Sequence, residues 1–330
     1  MFNDFKKIAP VWIIIIVIAI ISIVMLKFFS TSLINYIQYP PRKPYLLATA
    51  FQEEAKKYYR KALEKAEEQK AQGKAADLKG DADLIHSKEL FLKSLDLIRG
   101  DEDVYQRLAT LSELEHDRVK TYYYQASAQF EAGYGTEGLV SLDKALSIAP
   151  GDEPSLEKKV QVLIELDRLE EARTVLKELL SINHQNATAY YLSGLISMLE
   201  RDNISATGYF EKAVENNPRY LEAARGLADI VASQNDHKRA IGILLKIEPF
   251  YPTNASLKHA IGRFYFESGD YDPAYHYYQQ AEKLEQNSAS LYFDMAKVCT
   301  KMGKERLATI YLKRAMELDP KIKERVLFPQ

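Results

Sequence analysis

The sequence predicts an all-α protein: a superhelical solenoid of helix-turn-helix units behind one N-terminal transmembrane helix. Three observations carry this prediction. Small residues recur every 34 positions from about residue 119 onward, helical apolar spacing fills the intervals with almost no strand pattern, and one uncharged run of membrane-crossing length opens the chain. The 330 residues are 47% hydrophobic, which is enough for a substantial buried core. Lys+Arg 44 against Asp+Glu 46 gives a net charge of -2, so the balance offers no basic footprint for nucleic acid and none is expected as a partner. The one cysteine, Cys299, excludes a disulfide framework or a multi-cysteine metal site within the chain.

Residues 1–7 form a short flank. From Ile8 to Leu26 no charge interrupts the run between Lys6-Lys7 and Lys27, and at about 1.5 Å of rise per residue it reaches roughly 28 Å, close to a bilayer's hydrocarbon thickness. It is long for the apolar part of a signal peptide and no small-x-small cleavage site follows, so an uncleaved transmembrane helix over 8–29 is expected. Lys6 and Lys7, set against Lys27, Arg42 and Lys43, favour a cytoplasmic N-terminus with the body of the chain outside. Residues 30–44 end in YPPRKP, whose prolines predict a stiff extended linker.

Residues 45–118 read as a divergent helical cap or irregular repeat. Phe51 to Gly73 has helical spacing with Glu53/Lys57 and Glu67/Lys70 pairs along a solvated face. Leu84 to Ile98 forms a second helix, and Asp103 to Asp117 a third with no breaker after it, leaving open one long helix over 103–132 or two shorter ones.

Beyond this point the period takes over. Gly138, Ala172, Ala206, Ala240, Ala274 and Ala308 lie 34 apart, as do Ala126, Val160, Gly194, Ala228, Gly262 and Ala296, and also Ala145, Leu179, Ala213, Ile247, Ala281 and Ala315. Helices that cross closely need small contact residues, and a column of larger ones, Leu142, Leu176, Phe210, Leu244, Tyr278 and Leu312, fills the neighbouring layer. Prolines at Pro150, Pro218, Pro252 and Pro320 close several units. This pattern resembles the tetratricopeptide repeat, with Gly262, Tyr265, Gly269, Ala274, Tyr278 and Ala281 in the family's places. The resemblance divides 119–322 into six units, 119–152, 153–186, 187–220, 221–254, 255–288 and 289–322, and implies a right-handed stack. In the tail 323–330 and just before it, Ile322, Val326 and Phe328 are expected to cover part of the last helix face.

No catalytic constellation is present: there is no phosphate loop, no H-E-x-x-H, no G-x-S-x-G and no glycine fingerprint after a strand. The six histidines never fall three or four apart, so neither an enzyme, a metal nor a cofactor is expected. Cys299 shares an inward column with Leu163, Val231 and Tyr265 and reads as a buried structural thiol. Asn186, Asn203 and Asn254 match the glycosylation pattern, but Asn186 and Asn254 sit where a unit junction wants a turn-forming residue.

What remains is a surface. The resemblance implies a concave groove lined from the fifth, ninth, twelfth and thirteenth places of each unit: Tyr123 and Phe130; polar Glu157, Gln161 and Glu165; Tyr191, Leu195, Met198 and Leu199; Arg225 and Asp229; His259, Arg263 and Phe266; Phe293, Lys297 and Lys301. The aromatic and Met residues suit a protein or peptide partner, and the cations towards the C-terminal end suit acidic groups. The family's clamp for chaperone carboxylates is not expected, because no asparagine occupies the ninth or sixth places. The architecture resembles bacterial envelope proteins that join one N-terminal helix to such repeats. It implies a membrane-anchored scaffold or assembly adaptor, in the bacterial inner membrane with its repeats in the periplasm. The alternative is a self-associating structural or ring component of a motility or secretion apparatus, using its convex and N-terminal surfaces.

Overall fold

The computed structural model describes residues 43–98 and 100–323, and fifteen α-helices lie among them. The expected transmembrane helix over 8–29, the linker up to residue 42, and Val326 and Phe328 lie outside the described residues. Among the described residues no helix is long and apolar enough to cross a membrane. The chain divides into two compact units, one ending at Asp117 and one beginning at Arg118.

The first unit holds α1 (Lys43–Ala71), α2 (Ala82–Leu97) and α3 (Glu102–Leu114). Lys43 and Pro44, expected to belong to the extended linker, instead open α1. Pro44 falls in its first turn, where backbone N–H groups have no helical partner and proline is tolerated. Buried alanines at 48, 55, 62 and 66 line one side of α1. Their small size lets α2 approach until Ser87 Oγ donates to the Ala55 carbonyl at 3.0 Å. Leu84, Leu90 and Phe91 of α2 fill the surrounding core. On the surface Glu53 pairs with Lys56 at 2.9 Å rather than with Lys57, since one helical turn brings both within reach. The stretch 103–132 is two helices. His116 takes a left-handed φ of 59° and Asp117 N–H turns back to the Ser112 carbonyl at 2.9 Å, which ends α3.

The second unit alternates first and second helices of hairpins. The first helices are α4 (Arg118–Glu131), α6 (Glu153–Glu165), α8 (Ala187–Leu199), α10 (Leu221–Ser233), α12 (Ala255–Glu267) and α14 (Ala289–Lys301). Their partners are α5 (Gly135–Ile148), α7 (Leu169–Ile182), α9 (Asn203–Asn216), α11 (His237–Ile247), α13 (Tyr271–Leu284) and α15 (Glu305–Leu318). Capping explains where four of the six first helices begin: Asp152, Asn186, Asn254 and Ser288 each accept from the backbone N–H three residues on. Inside every hairpin the chain reverses through one left-handed residue, in turn Gly133, Asp167, Arg201, Asn235, Gly269 and Gly303.

The repeating columns form the core. Ala172, Ala206, Ala240 and Ala274 are fully buried, as are Leu142, Phe210 and Leu244, and Gly138 and Tyr278 are buried with them. Ala308 and Leu312 depart from this, being half-exposed, because no further hairpin follows α15 among the described residues. An open recess of about 420 Å³, bordered by Phe293, Ala296, Thr300, Ala308 and Leu312, marks the place. Where the large column turns aromatic, glycine makes the room. Phe210 wedges between Gly194 of α8 and Gly226 of α10, and Tyr278 lies against Gly262 of α12. Cys299 is buried in α14, and desolvation raises its thiol pKa.

Candidate peptide-binding groove

The first helices start at one phase of the period, so residues 34 apart fall at matching positions on successive helices. The fifth places form the row Tyr123, Glu157, Tyr191, Arg225, His259 and Phe293, all partly exposed. Phe130, Leu195, Met198, Arg263, Phe266 and Lys297, predicted to line the same surface, are also partly or well exposed.

At the N-terminal end, Tyr123 of α4 sits half-buried against the core of the first three hairpins. Phe130, one face-width along α4, lies under the Lys158 ammonium at 4.3 Å. That ammonium stands 3.8 Å from Glu131, and burial lowers the Lys158 pKa despite this carboxylate. Beside them Glu153 and Glu157 project one turn apart from the start of α6. Asn186 holds both: its Nδ2 donates to Glu153 at 2.8 Å and Glu157 at 2.7 Å, while its Oδ1 caps α8 at 2.7 Å. Asn183 adds a second donor to Glu153 at 2.9 Å. Desolvation, with the neighbouring Glu153 charge, raises the Glu157 carboxyl above the ordinary range even though Asn186 opposes the shift.

The middle of the candidate row belongs to α8. Tyr191, Leu195, Met198 and Leu199 follow the spacing of one helical face, the first two half-buried and the last two 39% and 59% exposed. The Tyr191 ring rests 5.8 Å from Phe210 and 5.1 Å from Tyr220, so its orientation is set by the core behind it. Burial pushes the Tyr220 phenol up to about 12, with Tyr191 and Glu157 among the groups that add to it.

Towards the C-terminal end His259, Arg263 and Lys297 are engaged. Arg225 is half-buried on α10. Arg263 donates to Asp229 at 2.6 Å, and Asp294 accepts from His259 at 2.8 Å and from Lys297 at 2.6 Å. Burial works to raise the Asp294 carboxyl, but the His259 and Lys297 hydrogen bonds outweigh it and hold it below the ordinary value. Lys297 also covers Phe293 at 4.9 Å and Phe266 at 5.8 Å. Asp294 was not among the residues singled out from the sequence. Its only signal was an acid one place after the groove position Phe293, on the helix following His259. Among the described residues no group of three His, Cys, Asp or Glu is placed to hold a metal ion.

Family models described as the tetratricopeptide repeat match residues 201–255, 255–288 and 289–322. Residues 201–322 therefore carry tetratricopeptide repeats. Such repeats make a protein-protein interaction scaffold that binds protein or peptide partners and is typically non-catalytic. A curated relative, the Protein CTR9 homolog of Arabidopsis thaliana, is 23% identical over 215 residues, which is 62% of this chain and 20% of that protein. The chain thus spans about a fifth of that relative's length. Two solved structures share the fold. The Cut9-Hcn1 hetero-tetramer of the APC/C aligns with a TM-score of 0.56 at 14% identity, covering 74% of this chain and 53% of that one. Pseudomonas aeruginosa pilF aligns at 0.54 and 15% identity, covering 62% and 93%.

Proposed function

We propose that this chain is a membrane-tethered, non-catalytic scaffold that holds an extended or helical protein segment along its groove during assembly of a bacterial envelope machine. The observation that carries the groove reading is the face of α8, where Tyr191, Leu195, Met198 and Leu199 offer a continuous apolar stripe that stays accessible. Contiguous exposed apolar surface is costly in water and marks interaction sites. The tether rests on the uncharged run from Ile8 to Leu26, and the periplasmic placement on Lys6 and Lys7.

A photo-crosslinking residue at Met198 tests this in intact cells, with a control at Glu211, which lies on the second helix α9 and pairs with Arg239. Capture of a distinct protein at Met198 alone supports a receptor groove, and the compartment of that protein reports the topology. Equal capture at both positions, or none, removes the groove reading. One observation favours self-association as a second reading: α15 exposes Leu307 (37%) and Ile310 (59%), where the preceding second helix has Pro273 and His276. A mass that rises with concentration, and falls back to the monomer in Leu307→Ser with Ile310→Ser, would establish it.

A further inference from the structure

The groove is not electrically uniform. Its C-terminal half balances its charges internally, through Arg263 with Asp229 and through Asp294 with both His259 and Lys297. Its N-terminal half holds carboxylates that lack any such balance. Among the described residues neither Glu153 nor Glu157 forms an ion pair; the side chains that hold them are the neutral amides of Asn183 and Asn186. Glu157 uses only Oε1 for Asn186, so Oε2 is left without a hydrogen-bond partner among the described residues.

Its surroundings favour one kind of occupant. Glu157 holds the fifth place of its helix, and the same place on the helices before and after is Tyr123 and Tyr191. Tyr220, ring to ring with Tyr191 at 5.1 Å, adds a third aromatic surface. The Glu157 charge reaches this group, for it adds to the upward shift that burial imposes on both the Tyr123 and Tyr220 phenols. A half-buried anion beside aromatic rings is unfavourable when empty and is relieved by a cation whose stem lies on the rings. A bound metal ion would have only a monodentate site with an amide donor beside it, which is a poor set of oxygen ligands.

We infer that the N-terminal half of the groove receives a lysine or arginine side chain of the bound segment, seated on the Glu157 carboxylate beside Tyr123 and Tyr191. The inference rests on the groove reading and refines it. The partner is an apolar segment for the α8 stripe with a basic residue at its α6 end. Asn186 is a positioning residue: tied to the α8 backbone, it holds Oε1 and leaves Oε2 for the incoming cation.

The test selects a phage-displayed random peptide library against the full chain in detergent, then measures enriched peptides by fluorescence anisotropy. Glu157→Gln keeps an acceptor for Asn186 and removes the charge; Glu170→Gln, on the second helix α7 and 90% exposed, is the control. Expected are peptides sharing a Lys or Arg, weakened about tenfold or more by Glu157→Gln, weakened by added salt, and unchanged by Glu170→Gln. Peptides that lose affinity in Met198→Ala but lack a basic residue, or ignore Glu157→Gln, overturn the inference and leave the groove reading standing. Absence of enrichment, or peptides indifferent to both Met198→Ala and Tyr191→Ala, overturns the groove reading and this inference with it. A melting temperature of Glu157→Gln no lower than that of the unaltered chain separates lost binding from lost folding.

Discussion

Gly194→Ala probes how tightly the hairpins are wedged together. A Cβ added at Gly194 would stand 2.6 Å from Cε1 and 2.7 Å from Cδ1 of Phe210. Carbon atoms settle at about 3.5–4.0 Å, so the ring must retreat by about 1 Å. It has no room to do so. Phe210 is fully buried, and on its other side a Cβ on Gly226 would stand only 2.9 Å from the ring, so that glycine is also in close contact. Overpacking of this kind costs about 1–3 kcal/mol. Alanine's better helix propensity works the other way, by about 0.8–1 kcal/mol. Gly208, in the middle of α9 with nothing within 4 Å of an added Cβ, isolates that second contribution. Urea titration of the full chain in detergent, followed by far-UV circular dichroism, should therefore place Gly194→Ala about 1–3 kcal/mol below Gly208→Ala. Adding Phe210→Leu to Gly194→Ala should recover part of the loss, because Leu142 with Ala126 and Leu244 with Ala228 already show that alanine and leucine fit. Recovery stays partial, since Gly226 leaves space that leucine does not fill. Equal stability of Gly194→Ala and Gly208→Ala would refute the wedge.

Other changes test the caps, charges and groove. Arg201 holds a left-handed φ of 62° where Gly133, Gly269 and Gly303 stand in sister hairpins, so Arg201→Gly should stabilise by about 0.5–1 kcal/mol in the same titration. The carboxyl of Glu157 has a raised pKa in the folded state, so its ionised form opposes folding at neutral pH. Glu157→Gln should raise the urea midpoint there, and the gain should fade as pH falls through the raised folded value towards the ordinary Glu value of about 4.3. Asp294 has the opposite sign. Its depressed pKa contributes stability above the ordinary Asp value of about 3.9, lost as pH falls through the folded value. Asp294→Asn should lower the midpoint at neutral pH and converge with the unaltered chain in acid. Met198→Ala should weaken a groove ligand by about 1–3 kcal/mol, measured by calorimetry, without moving the melting temperature.

The core was legible because close helix crossings demand small residues at fixed intervals, and Ala172 to Ala274 repeat that demand without interruption. The reversals were legible only where glycine marked them. Asp167, Arg201 and Asn235 adopt the same left-handed turn without it, and His116 ends α3 in the same way, so the break before α4 left no clear trace in composition. The candidate row, whose members are all at least partly exposed, could be counted out from the period, but its electrical state could not. Asn186 reaches Glu157 across 29 residues and Arg263 reaches Asp229 across 34, pairings that exist only once the helices are stacked. A cation in the sequence therefore looked available for a ligand, as Arg263 and Lys297 did, although each is already engaged.

The same stacking links core and groove. Gly194 and Leu195 are neighbours on α8, one admitting the Phe210 ring from behind and the other belonging to the apolar stripe in front. Phe210 in turn supports Tyr191, whose ring also rests on Tyr220 at the next unit's junction. The glycine thus permits a large aromatic core, and that core presents a tyrosine beside Glu157 instead of burying it. Filling the space at Gly194 should consequently disturb more than stability: a displaced Phe210 pushes on Tyr191, so any ligand of the row should weaken in Gly194→Ala even where the variant is folded. Gly208→Ala, with open space around its Cβ, should leave that ligand's affinity unchanged. If both variants bind equally while differing in stability, the core and the groove are independent and the aromatic wedge serves packing alone.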